Sequence, residues 1–262
     1  MSKPNYRFTP SLLGSFQGLL DSDLLWDEFY GSSDEPVMSP EEFGQKQEQE
    51  LLNAINRVPF VSEPASRGTA LNEVLDCLIE RRKPKEGISL SALNNGLNEM
   101  IGIRASLDGF TFDFGIELIN ELLAIFRGAI CQHRCEATID TARGPVVLYG
   151  DADYILRDVV SDLKTTTKYS YGKFEKGWQK DLYPYALIES GEVMQVSGFE
   201  YVIAKLSGGT ARSPLITGEI SREWYDYSHE AATARLRAIS EQFIDWIELH
   251  REQINHPRIF NQ

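Results

Sequence analysis

The chain has 262 residues, of which 42% are hydrophobic and 25% are charged, and its formal net charge at pH 7 is −13. This composition excludes an intrinsically disordered chain and fits one large globular domain, or a domain with an extension. No run of about 18 apolar residues occurs, so the sequence predicts no transmembrane helix. The first ten residues lack the apolar segment of a signal peptide, and we therefore expect a cytoplasmic protein without membrane contact.

The three cysteines argue against a disulfide scaffold, because their number is odd and they form no spaced framework. Cys131, His133 and Cys135 lie close together in the sequence, and their side chains are of types that bind metals. A structural zinc site normally takes four ligands, so we interpret these three as ordinary residues at a helix–strand boundary.

The first half of the chain is predicted to be mostly helical. Residues 1–60 form a helical N-terminal extension, since apolar residues recur at helical spacing on either side of the turn-rich segment GSSDEPVMSPEE. The second domain then covers 61–262 and begins with a helix from about Thr69 to Arg82. Segment 86–109 has no clear pattern, and the apolar residues 112–130 predict a further helix.

The sequence of the second half predicts several strands, with one helix between them and one after them. Two strands on either side of Ala142-Arg-Gly-Pro145 form a hairpin, and a second tight turn lies at Arg157-Asp158. The predicted strands are Glu136–Thr141, Val146–Tyr149, Tyr154–Leu156, Val159–Leu163, Val193–Val196, Glu200–Leu206 and Ile216–Trp224, and the predicted helices are Trp178–Glu189 and His229–Glu252. The fold class expected from this order is α+β (α/β), with helices flanking a mixed sheet.

Two acidic residues and a lysine near the second turn form the strongest candidate site. Asp162 and Lys164 are two apart on a predicted strand, so their side chains point to the same face. Asp153 lies nine residues before Asp162, across the turn, so two antiparallel strands would bring both carboxylates together. Closely placed carboxylate oxygens are ligands for Mg²⁺ or Mn²⁺. Asp151 is a rival ligand.

Two helices offer further polar side chains at four-residue spacing. Asn72 and Asp76 share one helical face, and Gln179 and Tyr183 share another. Each pair, taken alone, is also typical of an ordinary amphipathic helix with solvated polar residues.

In order and spacing these segments resemble the RecB-like and phage-type (lambda-like) exonuclease branch of the PD-(D/E)XK nuclease superfamily. The family pattern is Gly-Thr-x-x-His-x-x-x-Glu on a helix, Gly-x-x-Asp and Asp/Glu-x-Lys on two strands, and Gln-x-x-x-Tyr on a helix. The matching residues are Gly68-Thr69, Asn72, Asp76, Gly150, Asp153, Asp162, Lys164, Gln179 and Tyr183. The resemblance implies a restriction-endonuclease-like core with a central mixed sheet flanked by helices.

The resemblance also implies roles for these residues. Asp153, Asp162, Asp76 and the Leu163 carbonyl would bind Mg²⁺ or Mn²⁺. Lys164 would orient the attacking water, Gln179 would organise the site, and Tyr183 would lie beside the DNA backbone. Residues 160–180 hold five lysines and two acids, a net +3, and we expect four of those lysines to line the approach of the DNA phosphates: Lys168, Lys173, Lys176 and Lys180.

The chain departs from the family pattern at two positions. Asn72 stands where the family has His, and Asp76 stands where it has Glu, which leaves the metal preference open. Some relatives carry an iron–sulfur cluster bound by late cysteines. No cysteine follows Cys135, so no such cluster is expected here.

The expected function is metal-dependent exonucleolytic hydrolysis of DNA with little sequence specificity, in recombination or repair of the phage type. A homo-oligomer and a single-strand annealing partner are further expectations. One alternative is a structure-specific or single-strand endonuclease of the same superfamily. Another is a catalytically silent DNA-binding module, which the replaced His and the acidic net charge favour. A last alternative is an α+β protein in which the motifs are coincidental.

Overall fold

The chain folds into a mixed α+β structure in which helices flank a central sheet. A computed structural model describes residues 6–33 and 35–260, so the predicted segments 1–60 and 61–262 each include a few residues outside the described part. The elements in chain order are β1 (Tyr6–Phe8), α1 (Pro10–Leu20), α2 (Ser22–Tyr30), α3 (Pro40–Ile55), α4 (Glu63–Glu80), β2 (Ser89–Asn94), β3 (Met100–Leu107), β4 (Phe110–Gly115), α5 (Ile116–Phe126), β5 (Ile130–Thr141), β6 (Gly144–Leu156), β7 (Val159–Thr166), α6 (Gln179–Glu189), β8 (Gly198–Ser207), β9 (Thr217–Asp226) and α7 (His229–Leu249).

The central sheet is mixed and has its longest strand, β6, near one side. Its order is β1-β6-β7-β8-β9, with β5 also paired to β6. The β1–β6 and β7–β8 pairs are parallel, and the other pairs are antiparallel. These pairings confirm the predicted hairpin at Ala142–Pro145 and the predicted turn at Arg157-Asp158.

The second edge of β6 is paired at its two ends and open between them. β5 pairs along the whole first edge. On the second edge β1 pairs with residues 146–148, and β7 pairs with residues 154–156. Within the described ranges 6–33 and 35–260, residues 149–153 of β6 therefore have no strand partner on that edge, and the backbone there is accessible to side chains from other elements.

A second, three-stranded antiparallel sheet contains β2, β3 and β4 in that order. It joins the central sheet where β4 ends, because Gly115 N donates to Ile216 O at 2.8 Å just before β9. Strands β2 and β3 lie in segment 86–109, for which the sequence predicted no structure, and β4 follows directly after it.

Two hydrophobic cores cover the two faces of the central sheet. On one face, α4, α5 and the small sheet pack with Tyr154, Leu163 and Val202. On the other, α1, α3, α6 and α7 pack with residues such as Phe8 and Tyr201. The described part of the N-terminal segment thus contains three helices and also the strand β1, which pairs within the sheet.

Two predicted elements are wrong. Residues 112–130 were expected to form one helix, but Phe110–Gly115 is a strand and the helix covers only Ile116–Phe126. Val193–Val196 was expected to be a strand, but it lies in an irregular segment between α6 and β8. In the first case a continuous apolar run did not distinguish a buried strand from a buried helix.

Helix α4, which carries Asn72 and Asp76, has clear end signals. It begins six residues before the predicted start, where the Ser62 hydroxyl accepts a hydrogen bond from Ala65 N and Pro64 occupies the first turn. It ends at Arg81, which has the left-handed φ of 54°. Gly68 lies close to β7, since a Cβ on it would come within 3.0 Å of Thr165 Oγ1.

Candidate functional site

Asp153 and Asp162 lie where β6 and β7 separate. The last paired residues of the two strands are Tyr154 and Ser161, and the aspartates occupy the next position on each strand. Beyond this pair the backbone of β6 is open, so the two carboxylates enter the space between diverging strands. The turn at Arg157-Asp158 fixes this register, which the sequence predicted.

The Asp153 carboxylate is held from three directions. Its Oδ2 accepts a hydrogen bond from Leu163 N at 3.0 Å and from Asn72 Nδ2 at 3.5 Å, and its Oδ1 accepts from Gln132 Nε2 at 3.3 Å. Burial and the nearby negative charge of Asp162 raise the pKa of Asp153 to about 7, against smaller opposing effects from Leu163 N and Lys164. The carboxylate is therefore positioned firmly but is poorly solvated.

Asp162 forms an ion pair with Lys164. The Lys164 ammonium lies 2.7 Å from Asp162 Oδ2, and Asp162 is only 5% exposed. Burial raises the pKa of Asp162, although Lys164 acts in the opposite direction. The same ammonium lies 5.5 Å from the ring centroid of Tyr201. One positive charge thus faces two carboxylates.

Helix α6 closes this space from the side of β8. The Tyr201 hydroxyl donates to Gln179 Oε1 at 3.2 Å, which connects the predicted Gln179 to the ring beside Lys164. Tyr183 is buried, and burial followed by the charges of Asp162 and Asp153 raises its pKa. Hydrogen bonds, an ion pair and short charge contacts therefore group five of the predicted site residues: Asp153, Asp162, Lys164, Gln179 and Tyr183.

Asp76 is the predicted ligand that the structure does not bring to this group. It is buried on α4, and its Oδ2 lies 3.4 Å from an Arg82 guanidinium nitrogen. Burial raises its pKa to about 6, although Arg82 and Lys85 counteract the effect. Asn72, one turn earlier, is the α4 residue that contacts Asp153. The Tyr154 hydroxyl, which donates to Asn72 Oδ1 at 3.4 Å, lies between the two α4 residues.

Gln132 and Tyr201 are residues of this site that the sequence analysis missed. Gln132 has a left-handed φ of 49° within β5, and its strained backbone directs its amide to Asp153. No sequence signal marks it, because an isolated Gln in a strand is unremarkable. Tyr201 was part of a predicted strand, and its parallel register with Asp162 follows only from the β7–β8 pairing.

The four predicted DNA-binding lysines differ in their surroundings. Lys168 is exposed just after β7, and the Lys173 ammonium donates to Thr166 Oγ1 at 2.8 Å and to Lys168 O at 2.7 Å. Lys176 is exposed and lies 3.4 Å from Asp21. The Lys180 ammonium is largely buried 3.5 Å from Asp181, near Tyr225, and its pKa is lowered by burial.

The loop that carries the first three lysines is anchored to β9 by a buried glutamate. Glu223 accepts hydrogen bonds from the Tyr169 hydroxyl at 2.6 Å and from Gly172 N at 2.9 Å. Its second oxygen accepts from the Tyr225 hydroxyl at 2.6 Å. These bonds hold the loop between Lys164 and Gln179 in one arrangement.

The residues considered as alternative ligands lie elsewhere. Asp151 is exposed and pairs with Arg134 at 3.3 Å. Cys131 and Cys135 are buried in different cores, and His133 Nε2 lies 2.5 Å from Glu192.

A divalent cation fits part of the donor set. Within residues 6–33 and 35–260, no three His, Cys, Asp or Glu side chains form a group that could hold a metal. When both are ionised, Asp153 and Asp162 place two negative charges against one lysine, which leaves a net −1 for a cation to compensate. Mg²⁺ is often bound by only one or two carboxylates and keeps several water ligands, so this pair suits it.

Comparison with known proteins does not assign the chain to a family. No protein-family model matches the sequence, and no curated protein is similar to it. A solved structure described as the crystal structure of SSO0001 has a TM-score of 0.36 and 11% sequence identity, with 94% of this chain and 79% of that chain covered. A similarity of this size does not support a conclusion about fold family or function. In the described part of the chain, no helix is long and apolar enough to span a membrane.

Proposed function

We propose that the chain is a divalent-metal-dependent nuclease that hydrolyses DNA phosphodiester bonds. The observation that carries this proposal is the meeting of Asp153, Asp162 and Lys164 between two diverging strands. The choice of DNA as substrate, and of exonucleolytic cleavage, rests on the resemblance of the motif order to RecB-like and phage-type exonucleases.

Asp153 and Asp162 are the residues that would hold Mg²⁺ or Mn²⁺, together with the backbone carbonyl of Leu163. A divalent cation bound at such oxygens lowers the pKa of a bound water and stabilises negative charge on phosphate oxygens. Asp76 would join this set only after leaving Arg82, so its role as a ligand remains a prediction.

The other side chains position the reacting groups. Lys164 donates to oxygens at the centre and orients a water molecule or a phosphate beside Asp162. Tyr201 and Gln179 fix the side of the space formed by α6, and Gln132 and Asn72 hold the Asp153 carboxylate. The anchored lysine loop adds positive charge for the phosphate backbone.

End-labelled linear duplex DNA and covalently closed circles, each incubated with Mg²⁺, test the proposal. We expect the linear duplex to be shortened from its ends, and the circles to stay intact. Asp162→Asn and Lys164→Met should each lower the rate at least about a hundredfold, as loss of a group that stabilises charge in the transition state does. Asp158→Asn is the matched control, because Asp158 is an exposed residue of the adjacent turn.

Three outcomes decide between the candidate functions. Cleavage of the closed circles would show that the protein is an endonuclease with the same chemistry and not an exonuclease. DNA binding without any cleavage would favour the silent module, which the separation of Asp76 from the other two aspartates supports as the second candidate. Equal activity of Asp162→Asn and the unchanged protein would remove this site from any nuclease mechanism.

A further inference from the structure

Four arginines from four separate elements surround the buried ring of Tyr149 on β6. Three guanidinium carbons lie over the ring, at 4.7 Å for Arg7, 4.5 Å for Arg134 and 5.3 Å for Arg258. The fourth, Arg57, donates to the Tyr149 hydroxyl at 3.3 Å. These four residues and Tyr149 are called the arginine cluster below. They come from β1, β5, the end of α3 and the C-terminal segment.

The cluster has more positive than negative charge. Arg7 lies 2.6 Å from Glu136, and Arg134 lies 3.8 Å from Glu136 and 3.3 Å from Asp151. Among the described residues, no carboxylate lies within ion-pair distance of Arg57 or Arg258, both of which are exposed. Among the described residues, these ion pairs set two carboxylates against four guanidinium groups, in a chain whose total charge is −13.

Such a grouping favours an anionic ligand. Like charges at short range repel one another, and a bound anion relieves that repulsion. Planar guanidinium groups match the geometry of phosphate oxygens and also stack on aromatic rings, as they do on Tyr149. A strongly acidic chain repels nucleic acid over most of its surface, so any nucleic-acid contact needs a local basic patch of this kind.

The cluster lies on the same strand as the candidate site. Asp151 lies two residues and Asp153 four residues after Tyr149 on β6, and Asp151 pairs with Arg134 of the cluster. Tyr149 and Asp151 therefore share a face, whereas the alternation is interrupted near Asp153, because Ala152 packs in one core and Tyr154 in the other. Four strand residues span about 13 Å, so one nucleic-acid strand can contact the cluster and the carboxylates together.

We propose that the arginine cluster binds the sugar–phosphate backbone of the DNA strand that enters the carboxylate site. This inference rests on the proposed function for its choice of nucleic acid. It adds a binding surface of residues that no motif of the sequence contains: Arg7, Arg57, Arg134 and Arg258.

DNA affinity of the double variant Arg57→Gln/Arg258→Gln tests the inference. Both residues are exposed and lack a carboxylate partner among the described residues, so their loss leaves the ion pairs of Arg7 and Arg134 in place. The matched control is Arg127→Gln/Arg212→Gln, which removes the same charge at exposed positions outside the cluster. The probes are a short fluorescent single strand and its duplex, measured by anisotropy in EDTA at several NaCl concentrations.

We expect the dissociation constant of the cluster variant to rise about tenfold, with little change in the control. Loss of two phosphate contacts should also reduce the slope of log affinity against log salt by about 1.4 for the single strand or about 1.8 for the duplex. If DNA affinity falls equally in the cluster variant and the control variant, the loss reflects net charge alone, and the inference is overturned. Absence of DNA binding by the unchanged protein would overturn it too.

The test separates this inference from the proposed function. Because binding is measured without metal, an unchanged protein that binds through the cluster but never hydrolyses DNA would refute only the nuclease. If the unchanged protein hydrolyses DNA and the cluster variant binds and cleaves DNA equally well, only the proposed DNA binding by the arginine cluster is refuted. If the cluster variant keeps its DNA affinity but changes its sedimentation, the surface belongs to contacts between copies of this chain, and the inference fails.

Discussion

At the residue scale, the group formed by Asp153, Asp162 and Lys164 lowers the stability of the folded protein when no cation is bound. Asp153 and Asp162 are close enough for the charge of one to raise the pKa of the other, and both are poorly solvated. In the described part of the chain, the Lys164 ammonium is the positive charge that acts on both of them. Residues arranged for binding or catalysis commonly reduce the stability of the fold that carries them.

Asp162→Asn should therefore stabilise the metal-free protein at neutral pH. Because the pKa of Asp162 is raised in the folded state, folding favours the uncharged form, which asparagine mimics. We expect the melting temperature to rise by about 2–4 °C, equivalent to about 1 kcal/mol in a chain of this size. Differential scanning calorimetry in EDTA measures it, and the gain should shrink as the pH falls and the native carboxylate binds its proton.

The control for this variant is Asp158→Asn, on the exposed turn between β6 and β7. It should leave the melting temperature unchanged. A lower melting temperature for Asp162→Asn than for Asp158→Asn would mean that the Lys164 ion pair stabilises the fold more than burial and repulsion weaken it.

Asp76 shows where sequence reasoning about single residues reaches its limit. Helical spacing places Asn72 and Asp76 on one face of α4, but it does not determine which of them faces the sheet. In the structure Asn72 contacts Asp153, whereas Asp76 pairs with Arg82. Arg82 follows the left-handed residue Arg81, and the position of its side chain beyond the helix end was not predictable from the motif.

At the element scale, the open edge of β6 depends on close packing against α6. A Cβ on Gly150 would lie 2.8 Å from Tyr183 Cε1 and 3.3 Å from Pro10 Cδ. Gly150 is thus required because the Tyr183 ring crosses the backbone at this point. Gly150 and Tyr183 belong to two separate motifs of the family pattern, and the structure places them in contact.

Gly150→Ala should destabilise the protein by about 1–3 kcal/mol, as overpacking of a buried contact does. The matched control is Gly14→Ala, on an exposed position of α1 where an added Cβ meets no atom within 4 Å. The control should be neutral or more stable by about 0.5–1 kcal/mol, because alanine favours a helix interior over glycine. Urea denaturation of both variants measures the difference. Equal stability of the two would show that Tyr183 does not pack against this strand.

The predicted elements succeeded where turn residues fixed the register. The turns at Ala142–Pro145 and Arg157-Asp158 set the β5–β6–β7 pairing, and with it the neighbourhood of Asp153 and Asp162. Prediction failed where one apolar run contains two elements, as in 112–130. It also gave nothing for β2, whose residues are mostly exposed and lack a buried alternating face.

At the scale of the whole molecule, long-range pairing determines what local patterns cannot. Strand β1 pairs with β6 across about half of the chain, and the arginine cluster combines residues from both ends of it. The net charge of −13 hides these local groups of positive charge. Overall charge is therefore a poor guide to the partner of this protein, and the positions of individual guanidinium and ammonium groups are the better one.

The most direct test of the central claim is a Mn²⁺ soak of a crystal of the protein, read by anomalous diffraction. The account predicts an anomalous peak bonded to carboxylate oxygens of both Asp153 and Asp162, and no such peak in a crystal of Asp162→Asn. Manganese bound elsewhere, with the space between Asp153 and Asp162 free of metal at saturating Mn²⁺, would contradict the account.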